Sequence, residues 1–290
     1  MINVVTHDGQ FHQDEIFACV LLSYFTGDEL KIKRTRKENI ISKAQADVNT
    51  FVLDVGFKYE PHLNNLDHHQ STFDERADNG DLYSSCGIMW KKLRDTVGIS
   101  DFIKGKIDEF TNKIDRQDNG VEFFKEVEFL SLYNFEPLPK SENIQDKRFA
   151  HAYKAACAYF ANLMSLWAEQ EERDKVITEA IKHASGGIIF SENKISINEK
   201  INATDNKLVV SRRREGEYAI SSLNATDVVD YSVRCGTPMA WRGLSEDELC
   251  NVSGFDGMIF CHKNGFFTVV RGDKDHAIKV ANHIIENGVI

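Results

Sequence analysis

Asn3-Val4-Val5-Thr6-His7-Asp8-Gly9-Gln10-Phe11-His12-Gln13-Asp14-Glu15-Ile16-Phe17-Ala18-Cys19-Val20-Leu21-Leu22 is the stretch that decides the fold. Asn3 to Thr6 reads as a short buried strand that ends at His7. Gly9 permits a tight turn, and from His12 onward Ile16, Phe17, Cys19, Val20, Leu21 and Tyr24 recur at helical spacing. The order is strand, polar loop, helix. In open α/β sheets the carboxyl ends of the strands are where ligands bind, so the histidines and carboxylates of this loop stand at the chemically useful edge.

Working outward, residues 30–36 alternate apolar and basic side chains and predict a second strand. Residues 50–55 form a continuous apolar run closing on Asp54-Val55-Gly56, a buried parallel strand with a carboxylate at its tip. Residues 83–97 and 101–118 predict helices, the second stopped by Asn119-Gly120. Strands alternating with helices predict an α/β fold built on a right-handed, doubly wound, mostly parallel sheet. Residues 147–184 are helical in pattern. Beyond them, strand-like runs at 186–190, 207–211, 217–221, 258–261 and 266–270, with a closing amphipathic helix over 273–286, predict a smaller α+β domain. The expected division is a metal-binding catalytic domain over 1–140, a helical connector over 141–183 and a C-terminal domain over 184–290.

Four polar clusters share one character. They are the loop at 6–15, Asp54-Val55-Gly56, Leu66-Asp67-His68-His69-Gln70, and Ile114-Asp115-Arg116-Gln117-Asp118-Asn119-Gly120. Each follows or ends an apolar run, and each offers imidazole or carboxylate without sulfur, a set suited to Mn²⁺, with Mg²⁺, Fe²⁺ or Zn²⁺ as alternatives. Two cations held about 4 Å apart need a bridging carboxylate, terminal ligands and open positions for water and a substrate oxygen. His7, His12, Asp14, Asp54, His68 and Asp118 are the candidate ligands, with Asp54 placed to bridge. Asp115 either ligates or supports Asp118, and Asp8 and Glu15 suit hydrogen bonds to loop amides as well as they suit metal.

The 290 residues suffice for two ordinary domains, and 42% hydrophobic with 28% charged residues is the composition of a globular protein. Nothing resembles a signal peptide, and no apolar run has the length of a membrane span, so a cytoplasmic location is expected. The six cysteines are scattered without C-x-x-C spacing and read as free thiols. A net charge of -10 argues against non-specific binding of long nucleic acid but not against a phosphate substrate at a dication pair.

The Asp67-His68-His69 triplet resembles the signature of the DHH phosphoesterase superfamily. Thr6-His7-Asp8-Gly9-x-Phe11-His12-x-Asp14-Glu15, Asp54-Val55-Gly56, Asp67-His68-His69-Gln70, Ser84-Ser85-x-Gly87, Asp115-x-x-Asp118-Asn119-Gly120, Ala240-Trp241-Arg242-Gly243-Leu244 and Val252-Ser253-Gly254 resemble one branch more closely, the MYG (melanocyte proliferating gene) family. The resemblance implies a DHH-type domain followed by a substrate-binding domain, two manganese-type cations, and 3'-5' exonuclease activity on RNA or short oligonucleotides. It implies that His7, His12 and Asp54 hold one cation and Asp14, Asp54, His68 and Asp118 the other. His69 then faces the substrate phosphate as a catalytic group, and Asp67 orients a neighbouring imidazole. In the C-terminal domain His262, Gly265 and Arg271 are the expected substrate contacts. The chain departs from the family in having Phe267-Thr268-Val269-Val270 where a glycine pair follows His-x-x-Gly-Phe.

Two other readings stand beside the enzyme: a catalytically idle protein that keeps its metal cage to bind nucleotides, and a metal-dependent hydrolase of a non-nucleotide substrate. A short oligonucleotide substrate is expected, and the oligomeric state is open, a homodimer included. Arg212-Arg213-Arg214 either steers phosphates or is a solvated strand edge. Trp241 reads as a loop anchor rather than a base-stacking residue.

Overall fold

The computed structural model describes residues 1–133, 142–225 and 232–289. The chain divides into two compact units, Met1–Ala168 and Glu169–Ile290. The elements of the first are β1 (Ile2–Thr6), α1 (Gln13–Thr26), β2 (Leu30–Arg34), α2 (Glu38–Gln45), β3 (Thr50–Leu53), β4 (Tyr59–Glu60), β5 (Asn65–Leu66), α3 (Ser85–Arg94), α4 (Asp101–Asp118), the single turn α5 (Lys125–Glu128) and most of the long helix α6 (Glu142–Lys182).

The sheet order is β2-β1-β3-β5-β4, with β2, β1, β3 and β5 parallel and β4 antiparallel at the edge. Successive residues of a strand point to opposite faces, and both faces are apolar here. Val5 and Val52 pack with Ile41 and Ala44 of α2. Val4, Leu53 and Leu66 face the other way, into a core shared with α1, α3 and α4. Helices on both faces make the sheet doubly wound, the predicted architecture.

Helix α1 is buried without a break from Asp14 to Leu22, so it has no polar face to turn outward. It starts at His12, whose amide donates to the Glu15 carboxylate at 2.9 Å, and it stops at Gly27, left-handed at φ 71°. Helix α6 covers the same core with Phe149, Ala152, Ala156 and Phe160.

The second unit continues with the last turns of α6, then β6 (Ile188–Ser191), α7 (Glu199–Asn202), β7 (Leu208–Arg214), β8 (Glu217–Ser222), α8 (Glu246–Ser253), β9 (Met258–Cys261), β10 (Phe267–Arg271) and α9 (Lys274–Asn287). Its sheet order is β6-β7-β8-β10-β9, parallel only between β6 and β7. Ala277, Val280, Ala281 and Ile284 of α9 seal one face against Leu208, Val210, Ile220 and Val270. On the opposite face Ile177 and Ala180 of α6 cover Ile189 and Val209. All six cysteines are free, and among the described residues no helix is long and apolar enough to cross a membrane.

Candidate metal centre

The chain winds from β1 to β2 on one side and then returns past β1 to β3 on the other. That reversal opens a crevice at the carboxyl ends of β1 and β3, and the polar clusters meet there. His7 follows the last residue of β1, and His12, Asp14 and Glu15 form the start of α1. Asp54 follows the last residue of β3, in the left-handed region at φ 56°. That conformation costs a non-glycine residue on the order of 1–2 kcal/mol, and it turns the carboxylate back over the strand ends. Asp67, His68 and His69 follow β5, and Asp118 is the last residue of α4.

The two oxygens of Asp54 face different partners. Oδ2 lies 3.2 Å from His7 Nε2, while Oδ1 lies 3.2 Å from His68 Nε2 and 3.4 Å from His69 Nδ1. His68 Nε2 is also 3.4 Å from Asp118 Oδ2 and 3.7 Å from Asp14 Oδ2. Ligand atoms of His7, His12, Glu15 and Asp54 lie within 4.8 Å of one another, as do those of Asp54, His68 and His69 and those of His12, Asp14 and Asp118. Three carboxylates crowd His68 Nε2, yet that atom has no aligned hydrogen bond, and neither has the buried Asp14 Oδ1. Buried polar atoms are seldom left so. Their pairing with imidazole and carboxylate donors, none of them sulfur, fits hard or borderline divalent cations at this point.

The crowding of carboxylates also shifts their titration. Burial pushes the Asp14 carboxyl well above its usual range, and the nearby charges of Asp118, Asp54 and Glu15 push it further. Burial also raises Asp118; His68 draws it back and Asp54 adds to the rise. Asp54 behaves oppositely: burial disfavours its charge, but His68 and His7 hold it well below the carboxylate range. Burial opposes the charged form of His7, and the Asp54 and Glu15 carboxylates outweigh it, raising its pKa to about 10. A dication would take over the role these imidazolium charges play. His7 Nδ1 lies 3.0 Å from both the Asp8 carbonyl and the Arg36 guanidinium, which anchors the ring with Nε2 turned towards Asp54 and Glu15.

Asp67 is buried and takes no place among these ligand atoms. Its Oδ2 accepts the Phe57 amide at 2.6 Å, and its Oδ1 lies 2.8 Å from His69 Nδ1. It thus ties the loop after Asp54 to the imidazole of His69, whose side chain remains 51% exposed. The hydrogen bond to Asp67, opposed by partial burial, raises the His69 pKa. His69 borders a cavity of about 100 Å³ shared with His7, His12, Arg36 and Asp54.

Asp115 supports rather than ligates. Its Oδ1 accepts the Ser84 amide at 3.0 Å, the Ser84 hydroxyl at 2.6 Å and the Gly87 amide at 3.0 Å, so it gathers the start of α3. Two more residues join the cluster: Glu15, which the sequence left open between loop hydrogen bonds and metal, and Ser85, to which the sequence assigned no role. Glu15 Oε1 is 3.1 Å from His7 Nε2, and its signal was the acidic residue three positions after the His12 cap. Ser85 Oγ lies 3.2 Å from Asp54 Oδ1 and 3.2 Å from the Leu66 carbonyl, a position only the fold reveals.

The expected C-terminal contacts do not converge. His262 and Gly265 share the β9–β10 turn, where the Gly265 amide donates to the His262 carbonyl at 2.8 Å. Arg271 ends β10, so the strand's whole length, on the order of 13 Å, separates it from that turn, and helix α9 begins only at Lys274. Arg271 stands 3.7 Å from Glu217 instead. Gly265 is approached by the Arg242 guanidinium. Trp241 is buried and stacked on His283 at 5.3 Å, which makes it an anchor.

The profile of the MYG1_exonuc family, described as an uncharacterised protein family (UPF0160), matches residues 3–285. Among curated relatives, the MYG1 protein of Dictyostelium discoideum is 28% identical over 91% of both chains. The MYG1 protein of Chlamydia trachomatis is 29% identical over 92% of this chain and 91% of its own. The MYG1 exonuclease of Rattus norvegicus is 27% identical over 90% of this chain and 79% of its own.

Proposed function

This chain belongs to the MYG1_exonuc family, and from that premise we propose that it is a metal-dependent phosphodiesterase that shortens RNA or short oligonucleotides from the 3' end. The observation that carries the proposal is the buried, sulfur-free cluster in which Asp54 faces His7 with one oxygen and His68 with the other. The name of the rat relative, an exonuclease, supports a nucleic-acid substrate. His7, His12 and Asp54 would hold one cation, and Asp14, Asp54, His68 and Asp118 the other, with manganese favoured by the mixed imidazole and carboxylate donors. Such a pair, when bound, lowers the pKa of water and offsets charge on a phosphate.

The chain's own part is positioning and proton handling. His69, steadied by Asp67, presents an imidazole beside the cluster, and that hydrogen bond raises its pKa. It is placed to donate to a phosphate oxygen or to the oxygen that leaves phosphorus. Arg36, 63% exposed, borders the same cavity and can pair with a second phosphate oxygen.

The test is chelation followed by add-back of single metals, with 5'-labelled and 3'-labelled oligoribonucleotides and matching DNA. Manganese should restore hydrolysis. A 5' label should then appear in a ladder of shortening RNAs, and a 3' label as mononucleotide at once. Tight nucleotide binding with no hydrolysis under any metal would favour the idle cage instead.

A further inference from the structure

The C-terminal sheet has a face only partly covered. Helix α6 shields Ile189 and Val209, on the β6 and β7 side. Across the other strands the register lines up Ser211, Ala219, Val269 and Phe260 in one row, and Ser221 with Phe267 in the next. The centre of this surface carries only short side chains, with Ser211 and Val269 buried and Ala219 and Ser221 half-buried. Its β9–β10 side is aromatic, with the Phe260 and Phe267 rings 5.8 Å apart and His262 stacked on Phe267 at 5.3 Å. Phe260 is 37% exposed.

Over these rows lies a cavity of about 680 Å³, room enough for nucleotide-sized ligands. Its charged lining is Lys194, Arg212 and Arg213, with no carboxylate among the described lining residues, in a chain of net charge -10. The neighbouring basic residue Arg214 is taken by Glu217 at 2.6 Å, and Arg212 reaches Glu192 only at 3.9 Å. Lys194 and Arg213 form no salt bridge among the described residues.

We propose that this face is a stacking platform for single-stranded RNA, with bases on Phe260 and Phe267 and phosphates along Lys194 and Arg213. The inference rests on the nuclease reading and gives it a second binding surface. Aromatic side chains on an open sheet, with cations at the rim, hold unpaired bases through their π-faces and the backbone through its charge. Small residues between the rings and the cations let a sugar-phosphate chain approach the sheet.

The experiment measures binding of a fluorescent single-stranded RNA pentamer to the full-length protein by anisotropy over a range of salt. Hydrolysis of a small activated phosphodiester is followed in parallel. Phe260→Ala should weaken RNA affinity about tenfold. Phe260→Leu, which keeps the apolar bulk and removes the ring, should weaken it as well. Lys194→Ala with Arg213→Ala should lower the salt slope by about one to two, because fewer counterions are released. None of these should change turnover of the small diester. RNA affinity indifferent to all three positions, with diester hydrolysis intact, would overturn the platform and leave the nuclease reading standing. RNA affinity lost at the platform with no hydrolysis by any form would do the reverse. A dimer in the parent protein that Phe260→Ala dissociates, seen by light scattering, would show that a second copy covers the face and would also overturn the proposal.

Discussion

The two sheets treat polar side chains in opposite ways. At the strand ends of the N-terminal sheet, His7, Asp14, Glu15 and Asp54 are buried together, and their charges are forced on one another. On the partly covered face of the C-terminal sheet, Lys194 and Arg213 stand apart in solvent beside the exposed Phe260 and the half-buried Phe267. Removing charge from water turns it into a requirement for a specific partner, which explains why burial raises Asp14 and Asp118. Charge left in water makes a weaker, salt-screened and exchangeable contact. The first arrangement suits a resident cation and the second a substrate that must leave.

The sharpest way to break this contrast is at Asp54. Asp54→Asn keeps the shape and removes the charge that both histidine groups share. Cation stoichiometry measured by calorimetry should fall at both sites, and hydrolysis should drop at least on the order of 10³-fold. Two cations bound at parental affinity would show that Asp54 does not bridge. His69→Ala should come next, with metal content kept and turnover lowered on the order of 10²-fold. His69→Gln should recover little of that loss, because its amide can hydrogen-bond but cannot pass on a proton. Loss of metal in His69→Ala would move His69 into the ligand set.

Much of the N-terminal site was legible because its residues follow strongly patterned elements. Strands β1 and β3 announce themselves by apolar runs, and His7 and Asp54 stand one residue beyond their ends. What escaped reading was short or context-bound. Strands β4 and β5 have two residues each, too few for any period, although β5 carries Asp67 into place. Asn65 reads as a turn residue, yet it is buried in β5 because its amide donates to the Gln45 carbonyl and to Glu60. Arg271 ends β10, a strand's length from the turn of His262 and Gly265, and nearness in sequence does not say which end of a strand a residue occupies. The open face was hidden for a related reason. Its rows join residues from four strands, and only the register brings Ser211, Ala219, Val269 and Phe260 into line.

A third test concerns the support beneath the metal centre. A Cβ on Gly87 would lie 2.1 Å from Asp115 Oδ2, whose carboxylate is held by Ser84 and by the Gly87 amide itself. Gly87→Ala should cost about 3 kcal/mol in urea melts, since a buried hydrogen-bonded group must move. Asp115 also sets a pH dependence. Burial raises its carboxyl, the hydrogen bonds only partly offset this, and its pKa reaches about 7. An unfolded aspartate titrates near about 4. Between those values the folded chain holds a proton that the unfolded chain lacks, so this group's stabilising contribution is complete at low pH and fades as pH rises through 7. Asp115→Asn should flatten stability across that window. An unchanged slope would mean that Asp115 is ionised in the fold at neutral pH.

The smallest effect is expected at Gly265, and it completes the contrast. Gly265 is left-handed at φ 76°, and a Cβ there would meet Arg242 Nε at 2.6 Å and Cζ at 2.8 Å. The obstacle differs in kind from the one at Gly87. Arg242 donates from Nε to the Thr237 carbonyl at 3.0 Å, but its guanidinium is the end of a long, flexible side chain that can swing aside. The cost should therefore be mainly the backbone conformation, about 1 kcal/mol, a third of that at Gly87. Metal content and turnover of a small diester should not change. If Gly265→Ala instead lowers RNA affinity while leaving the urea midpoint where it was, then a ligand's approach, not Arg242, is what requires glycine in that turn. A loss of stability as large as that of Gly87→Ala would mean that Arg242 is as firmly held as Asp115, and that the C-terminal unit also contains a charged group its fold cannot move.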